Sequence, residues 1–251
     1  MEDIVIALAS KAFVNGDVPA NLATMLETMA EASGRGAALV CFGEAFLQGF
    51  DNLCWDYDTD RAMALTRDAA PIRRIREASR SLGVDVLFGF IEREGDALYS
   101  SCMLVERGEM ACCYRRMSQG WKDFRRTDGR YREGTEPVRF TYRGWTCAVA
   151  LCGDLWDDTQ DRFRLGEDIL FWPVYCGYTP EAWRSGARAE YAAWFRDHAP
   201  LTLLIDSICD GDSQGGCAAF RAGATAAERP PGTEGTAACP SRGSDERMIH
   251  G

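Results

Sequence analysis

The chain has 251 residues, 46% of them hydrophobic, and a formal net charge of −10. That length fits one large domain or two small ones, the composition excludes a disordered chain, and no apolar run approaches the ~20 residues of a membrane-spanning helix. So negative a chain also lacks the basic stripe expected of a nucleic-acid binder.

The first residues, MEDIVIALAS, set acids before a short apolar run. A secretory leader would do the reverse, with basic residues first and a longer apolar stretch after them, so the expectation is a cytoplasmic protein. DIVIALAS has strand character. NLATMLETMAEASGRGA follows with apolar spacing near 3.6 and a glycine stop, which predicts a helix. AALVCFGEAF is an apolar strand that ends in an acid, and PIRRIREASRSLGV is a second helix. DVLFGFIERE is a strand, and ALYSSCMLVERGEMACCYRR a hairpin turning near Arg107-Gly108. VRFTYRGWTCAVALCGDLW repeats the hairpin pattern with its turn at Arg143-Gly144. DILFWPVY is a buried strand, ARAEYAAWFRDHA a helix and LTLLIDSICD a strand. Strands and helices alternate, which indicates an α/β layered domain with helices on the sheet faces. No linker or repeat interrupts residues 1–222, read as a single domain. Residues 223–251 are rich in Gly, Pro, Ala and charge, and are expected to form at most a weak edge strand, much of it poorly ordered.

Residue counts narrow the chemistry. There are eleven cysteines and no C-x-x-C pair, so neither a structural zinc site nor a thioredoxin-type site is expected. Most should be reduced, buried, small apolar residues. Cys112 and Cys113 should point to opposite faces of a strand. There are only two histidines. His250 is next to last, and His198 reads as a surface residue near a helix end. Histidine-based Ser or Cys chemistry therefore loses ground, and a catalytic base would have to be a carboxylate, a lysine or another residue. A histidine-dependent cysteine protease would require His198 within reach of Cys152.

Three segments carry candidate chemistry. In TCAVALCGDLW an apolar strand runs into Cys152-Gly-Asp; a nucleophile needs a rigid support and an exposed tip, and a strand end with a glycine turn supplies both. With eleven cysteines, a chance placement of one at a strand end is an equal reading. In ALVCFGEAFLQGF, Glu44 follows an apolar run. It is either a turn acid or, if buried, a base poised near neutral pH by desolvation. CCYRRMSQGWKDF places cations and aromatics in one loop after a strand, either as a solvated loop or as a cluster that favours a thiolate and a developing oxyanion.

In their order and context these segments resemble the nitrilase, or carbon–nitrogen hydrolase, superfamily, over residues 3 to 238. FGEAFLQGFD resembles the family's glutamate motif and ALCGDLW its cysteine motif. REGTEPVRFTYRGWTCAVALCGDLW, GEDILFWPVY and RAEYAAWFRDHAPLTLLIDS follow its order of turn, hairpin, strand, helix and strand. The resemblance implies a four-layer α-β-β-α sandwich, a Glu-Lys-Cys triad and a homodimer. It carries Glu44 over as general base and Cys152 as nucleophile. The family's lysine position holds Arg116, in Tyr114-Arg115-Arg116. An arginine can clamp an oxyanion but cannot give up a proton; Lys122, six residues on, is the alternative cation. Asp128 is the nearest match to a second family acid. Asp157-Asp158 replaces a Pro-Glu pair common after the cysteine motif, and the tail lacks the family's usual apolar strand.

The implied activity is hydrolysis of a small amide, carbamoyl compound or nitrile through a Cys152 thioester, with no cofactor or metal required. Trp121, Trp156, Trp172 and Tyr175 lie near the motifs and either line an acyl pocket or pack at sheet ends. The rival reading is a catalytically silent relative, marked by the Lys-to-Arg change, that binds a small molecule or a partner through the same pocket.

Overall fold

The computed structural model describes residues 1–156, 159–164, 166–210 and 213–243. The first sheet contains β1 (Val5–Ser10), β2 (Leu39–Cys41), β3 (Asp85–Glu94), β4 (Ala97–Glu106) and β5 (Glu109–Arg115). The second contains β6 (Arg139–Tyr142), β7 (Trp145–Val149), β8 (Ile169–Pro173), β9 (Leu201–Ile208), β10 (Gln214–Arg221) and β11 (Ala224–Arg229). The last strand, β12 (Gly235–Pro240), returns to the first sheet, beside β1. The sheet orders are β12-β1-β2-β3-β4-β5 and β11-β10-β9-β8-β7-β6. Within each, three neighbouring strands are parallel (β1, β2 and β3; β7, β8 and β9), and the flanking pairs are antiparallel.

Strands buried on both faces explain the continuous apolar runs, and the faces alternate with a period of two. On β1, Ile6 and Leu8 enter the core shared with the second sheet, while Ala7 and Ala9 enter the core under the helices. On β4, Cys102 and Leu104 take the first face, Met103 and Val105 the second. Cys112 lies in the inter-sheet core and Cys113 packs against the other, so the adjacent pair does split between faces. The Cys217 thiol on β10 reaches the Leu8 carbonyl on β1 at 3.3 Å, so the sheets lie face to face.

Two helices cover the first sheet. α1 (Val18–Gly34) starts where Asp17 accepts from Ala20 N at 3.0 Å and buries Met25 and Met29. A short α2 (Tyr57–Met63) precedes α3 (Ala70–Leu82), which buries Ile72 and Ile75 and stops at Gly83 in the left-handed conformation. Over the second sheet the expected single helix is a broken segment: α4 (Pro180–Ala182), a π-turn over Trp183–Ala187 where Ser185 and Gly186 weaken the helix, α5 (Arg188–Trp194), and a 3-10 turn over Phe195–Asp197. The whole is the expected α-β-β-α sandwich. No described helix is long and apolar enough to cross a membrane.

The segment after residue 222 departs from expectation. It supplies an edge strand to each sheet: β11 pairs with β10, and β12 pairs with β1 through six residues from Val5↔Pro240 to Ser10↔Gly235. Small side chains suffice there because Ala237 and Cys239 are the inward-facing residues of β12. His250 and Asp157-Asp158 lie outside the described residues.

Candidate active site

Glu44, Arg116 and Cys152 each follow the carboxyl end of a strand, β2, β5 and β7, where open α/β sheets place their ligands. The ends of the two sheets are tied directly: Glu44 N donates to the Val174 carbonyl at 3.2 Å. The Cys152 thiol, in turn, points at the carbonyl of the next residue, Tyr175, at 3.7 Å. Glu44 is fully buried. Its Oε1 accepts from the Ser100 hydroxyl at 2.7 Å, and Arg116 Nη1 donates to both carboxylate oxygens at 3.0 and 3.2 Å. Arg116 is itself buried, with Nε on Ser118 Oγ at 2.7 Å. Burial opposes its charge, but Glu44, Cys152 and Asp154 together hold the guanidinium above its ordinary range. Arg116 thus pairs with the acid and feels the charge of the thiol.

Cys152 has φ +43°, in the left-handed region that a residue with a Cβ enters at a cost of about 1 kcal/mol or more. A strand breaking sharply into a 3-10 turn (Cys152–Leu155) presents the side chain at the tip, as a nucleophile elbow does. Two contacts fix that turn. Trp172 Nε1 donates to the Cys152 carbonyl at 2.9 Å. Asp154, fully buried, accepts from Tyr114 Oη at 2.5 Å, Ser118 N at 2.7 Å, Leu151 N at 2.9 Å and Met117 N at 3.0 Å. Asp154 therefore bolts the Arg116 loop to the Cys152 turn, although burial pushes its carboxyl up against those donors. Gly89 performs a similar task for Glu44. A Cβ there would meet Ala45 N at 2.5 Å, Gly43 O at 2.6 Å and Glu44 Cα at 2.7 Å, so only glycine lets the Glu44 turn lie on β3.

The profile of the carbon-nitrogen hydrolase family matches residues 5–192 of this arrangement. The chain belongs to the carbon-nitrogen hydrolase family. Among curated members and relatives, it is 30% identical over 161 residues to the glutamine-dependent NAD(+) synthetase of Thermotoga maritima, covering 61% of this chain and 26% of that protein. It is 29% identical over 121 residues to an arylacetone-specific nitrilase of Alcaligenes faecalis, covering 44% of this chain and 34% of that one. The matched region thus spans about a quarter to a third of these relatives. Among solved structures, a CN-hydrolase superfamily protein of Xanthomonas campestris with an arsenic adduct in its active site aligns at TM-score 0.80 and 16% identity, over 100% of this chain and 94% of that one. A mutant amidase from Nesterenkonia sp. AN1 aligns at TM-score 0.73 and 18% identity, over 94% and 92%.

In this member of the family, Lys122 and Asp128 are engaged elsewhere, while Trp172 and the Tyr175 carbonyl touch Cys152. The Lys122 ammonium is held by Glu133 and by the Tyr131 carbonyl, each at 2.6 Å. Asp128 is exposed and paired with Arg130 at 2.6 Å on the surface. Both sit in the loop between β5 and β6, where tertiary contacts, not strand spacing, decide where a side chain goes. Trp121 is buried against Tyr131 in a small core of its own, and Trp172 is fully buried under α5. Trp156 is 39% exposed and meets Trp172 edge-on. Tyr175 stacks on Phe50 at 5.5 Å and hydrogen-bonds Asp51. His198 is buried, contrary to expectation: it caps the 3-10 turn against the Trp194 and Phe195 rings, with Nδ1 3.0 Å from the Trp194 carbonyl. Sequence reasoning passed over Ser100, Gly89 and Asp154. Ser100 and Gly89 leave a trace as small or polar residues inside otherwise apolar strands, and Asp154 stands inside the cysteine motif itself.

Proposed function

We propose that this chain is a thiol-dependent hydrolase of a non-peptide carbon–nitrogen bond in a small amide, carbamoyl compound or nitrile. What carries the reading is the buried Glu44–Arg116 pair held, through Val174 and Tyr175, at the same sheet end as a thiol on a strained turn. Glu44 takes the proton of the Cys152 thiol as sulfur attacks the electrophilic carbon. Arg116 stabilises the negative charge that develops on the substrate oxygen or nitrogen. A guanidinium does not release protons, so Glu44 also returns the proton to the departing ammonia or amine. It then activates the water that hydrolyses the thioester.

The test is ammonia release across a panel of amides, carbamoyl compounds and nitriles, with Cys152→Ala as control. Release that persists in the alanine variant, or no release from any class, sinks the reading. The second reading is a silent binding protein. It is favoured by the engagement of Arg116 Nε with Ser118 and of Nη1 with Glu44, which ties two of the three guanidinium nitrogens to the protein. Selective alkylation separates the two: a working nucleophile is modified at Cys152 ahead of the other cysteines, whereas a silent pocket shows no such preference. The protein is further proposed to act in the cytoplasm as a homodimer. A monomer at micromolar concentration in sedimentation velocity would remove the second half of that statement.

A further inference from the structure

Beside the Cys152 turn lies a cavity of about 430 Å³ whose walls are mostly aromatic. Two chain segments that touch the nucleophile run into it. Leu155, which ends the Cys152–Leu155 turn, and Trp156 form one wall. Tyr178, three residues beyond the Tyr175 carbonyl that receives the Cys152 thiol, forms another. The third comes from α5: Glu190 and Tyr191 stand four and three residues before Trp194, so the three share one side of the helix, and all line the cavity. Trp172 joins the cavity to the nucleophile. Its Nε1 donates to the Cys152 carbonyl at 2.9 Å, and its ring meets Trp156, Tyr191 and Trp194 edge-on at 5.2, 5.5 and 6.2 Å. Tyr178 stands at 80° to Tyr191, with the two hydroxyls 2.7 Å apart, so the rings form a box and not a stack.

A box of rings accepts either an aryl group or a cation, and the charge at its wall decides between them. Among the described residues, Glu190 is the only charged group that lines the cavity. It is exposed, and no described lysine or arginine forms an ion pair with it; Arg188, on the same helix, is spent on Glu228 at 2.7 Å. A free carboxylate contributes nothing to holding a neutral ring. Beside aromatic side chains it favours a cation, because ring quadrupoles are negative over their faces and attract ammonium groups. The net charge of −10 adds a long-range pull of the same sign. We propose that this cavity binds the positively charged end of the substrate, a primary or quaternary ammonium group, and so selects a cationic amide, carbamoyl compound or nitrile. The ammonium group sits among Trp156, Tyr178, Tyr191 and Trp194 with Glu190 beside it, while the reacting carbon lies at Cys152. Neutral analogues of the same shape forgo the attraction of Glu190 and the rings, and anionic ones are repelled by it. The selection of substrates rests on the proposed hydrolysis; the binding of the cation does not.

The experiment titrates the full chain with choline, and separately with the neutral alcohol in which carbon replaces the choline nitrogen, by isothermal titration calorimetry. Choline is expected to bind about tenfold more tightly than the alcohol. Glu190→Gln should weaken choline by roughly two- to five-fold and leave the alcohol unchanged. Trp156→Leu should weaken choline more than the alcohol. Both side chains are exposed, so both variants should keep the parent's circular dichroism spectrum. Equal affinity for the two ligands, no binding of choline, or choline binding indifferent to both substitutions overturns the proposal. Ammonia release is then compared between an amide ending in a trimethylammonium group and the same amide ending in tert-butyl. Choline binding with no release from either supports the cation site and sinks the hydrolytic reading alone. A tert-butyl amide hydrolysed as well as its cationic partner overturns the proposal and leaves the hydrolysis standing.

Discussion

The two cations that compete for the family's lysine role differ in what they hold. Arg116 bridges Ser118 and Glu44 inside the protein, whereas Lys122 is spent on Glu133 and a backbone carbonyl. A charge fixed before the reaction stabilises a transition state better than one that must leave its partners first. Arg116→Ala should therefore lower turnover by roughly 100-fold or more, the scale of a lost oxyanion donor. It should also destabilise the fold by about 3 kcal/mol or more, because Glu44 is left buried without its cation. Lys122→Ala should cost much less on both counts. Arg116→Lys tests the geometry: a single ammonium replaces a fork whose Nε and Nη1 serve different partners, so turnover should fall. Steady-state kinetics and urea melts of the three variants measure this. Loss of turnover in Lys122→Ala with Arg116→Ala intact would make Lys122 the working lysine.

Each site residue is aimed by the element beneath it, and Gly89 offers the sharpest test at that scale. A methyl group there falls within 2.7 Å of three backbone atoms of the Gly43–Ala45 turn, and backbone cannot move aside as a flexible side chain does. Gly89 lies in mid-strand with no positive φ, so alanine fits its conformation. Gly89→Ala should keep the fold, with a circular dichroism spectrum like that of the parent. It should displace Glu44 and lower turnover by roughly 100-fold, as expected of a 1 Å misplacement. The same contrast explains what could be read in advance. The strands were readable because burial on both faces makes unbroken apolar runs. The hairpin turns were readable because Arg107-Gly108 and Arg143-Gly144 take φ of 52° and 79°, and 46° and 85°, the pattern of a tight two-residue turn. Glu44, Arg116 and Cys152 each follow a strand, so their placement at strand ends could be read from topology. Lys122 and Asp128 sit in a long loop, where the partners Glu133 and Arg130 settled the outcome and no periodicity reported it.

At the scale of the molecule, one segment serves both sheets. Residues 224–240 leave the second sheet as β11 and join the first as β12, so this one segment closes an edge of each. An uncovered β1 would present unpaired backbone groups beside the strands that carry Glu44, a template for association with other chains. The tail's low hydrophobicity hid this role, because an edge strand of alanines can be held by register and inward methyl groups without large side chains. Register gives a direct test. Ala237 lies opposite Leu8 and is buried in the inter-sheet core, while its neighbour Ala238 is exposed. Aspartate at 237 would bury an unpaired carboxylate and should cost about 3 kcal/mol or more. For a chain of this size that lowers Tm by about 6–12 °C. Aspartate at 238 meets water and should stay within about 0.5 kcal/mol of the parent. Differential scanning calorimetry of Ala237→Asp and Ala238→Asp decides it. Equal effects from the two would mean that β12 does not hold this register, and a reversed order would mean that it is shifted by one residue, since a slip of one exchanges the faces of the whole strand.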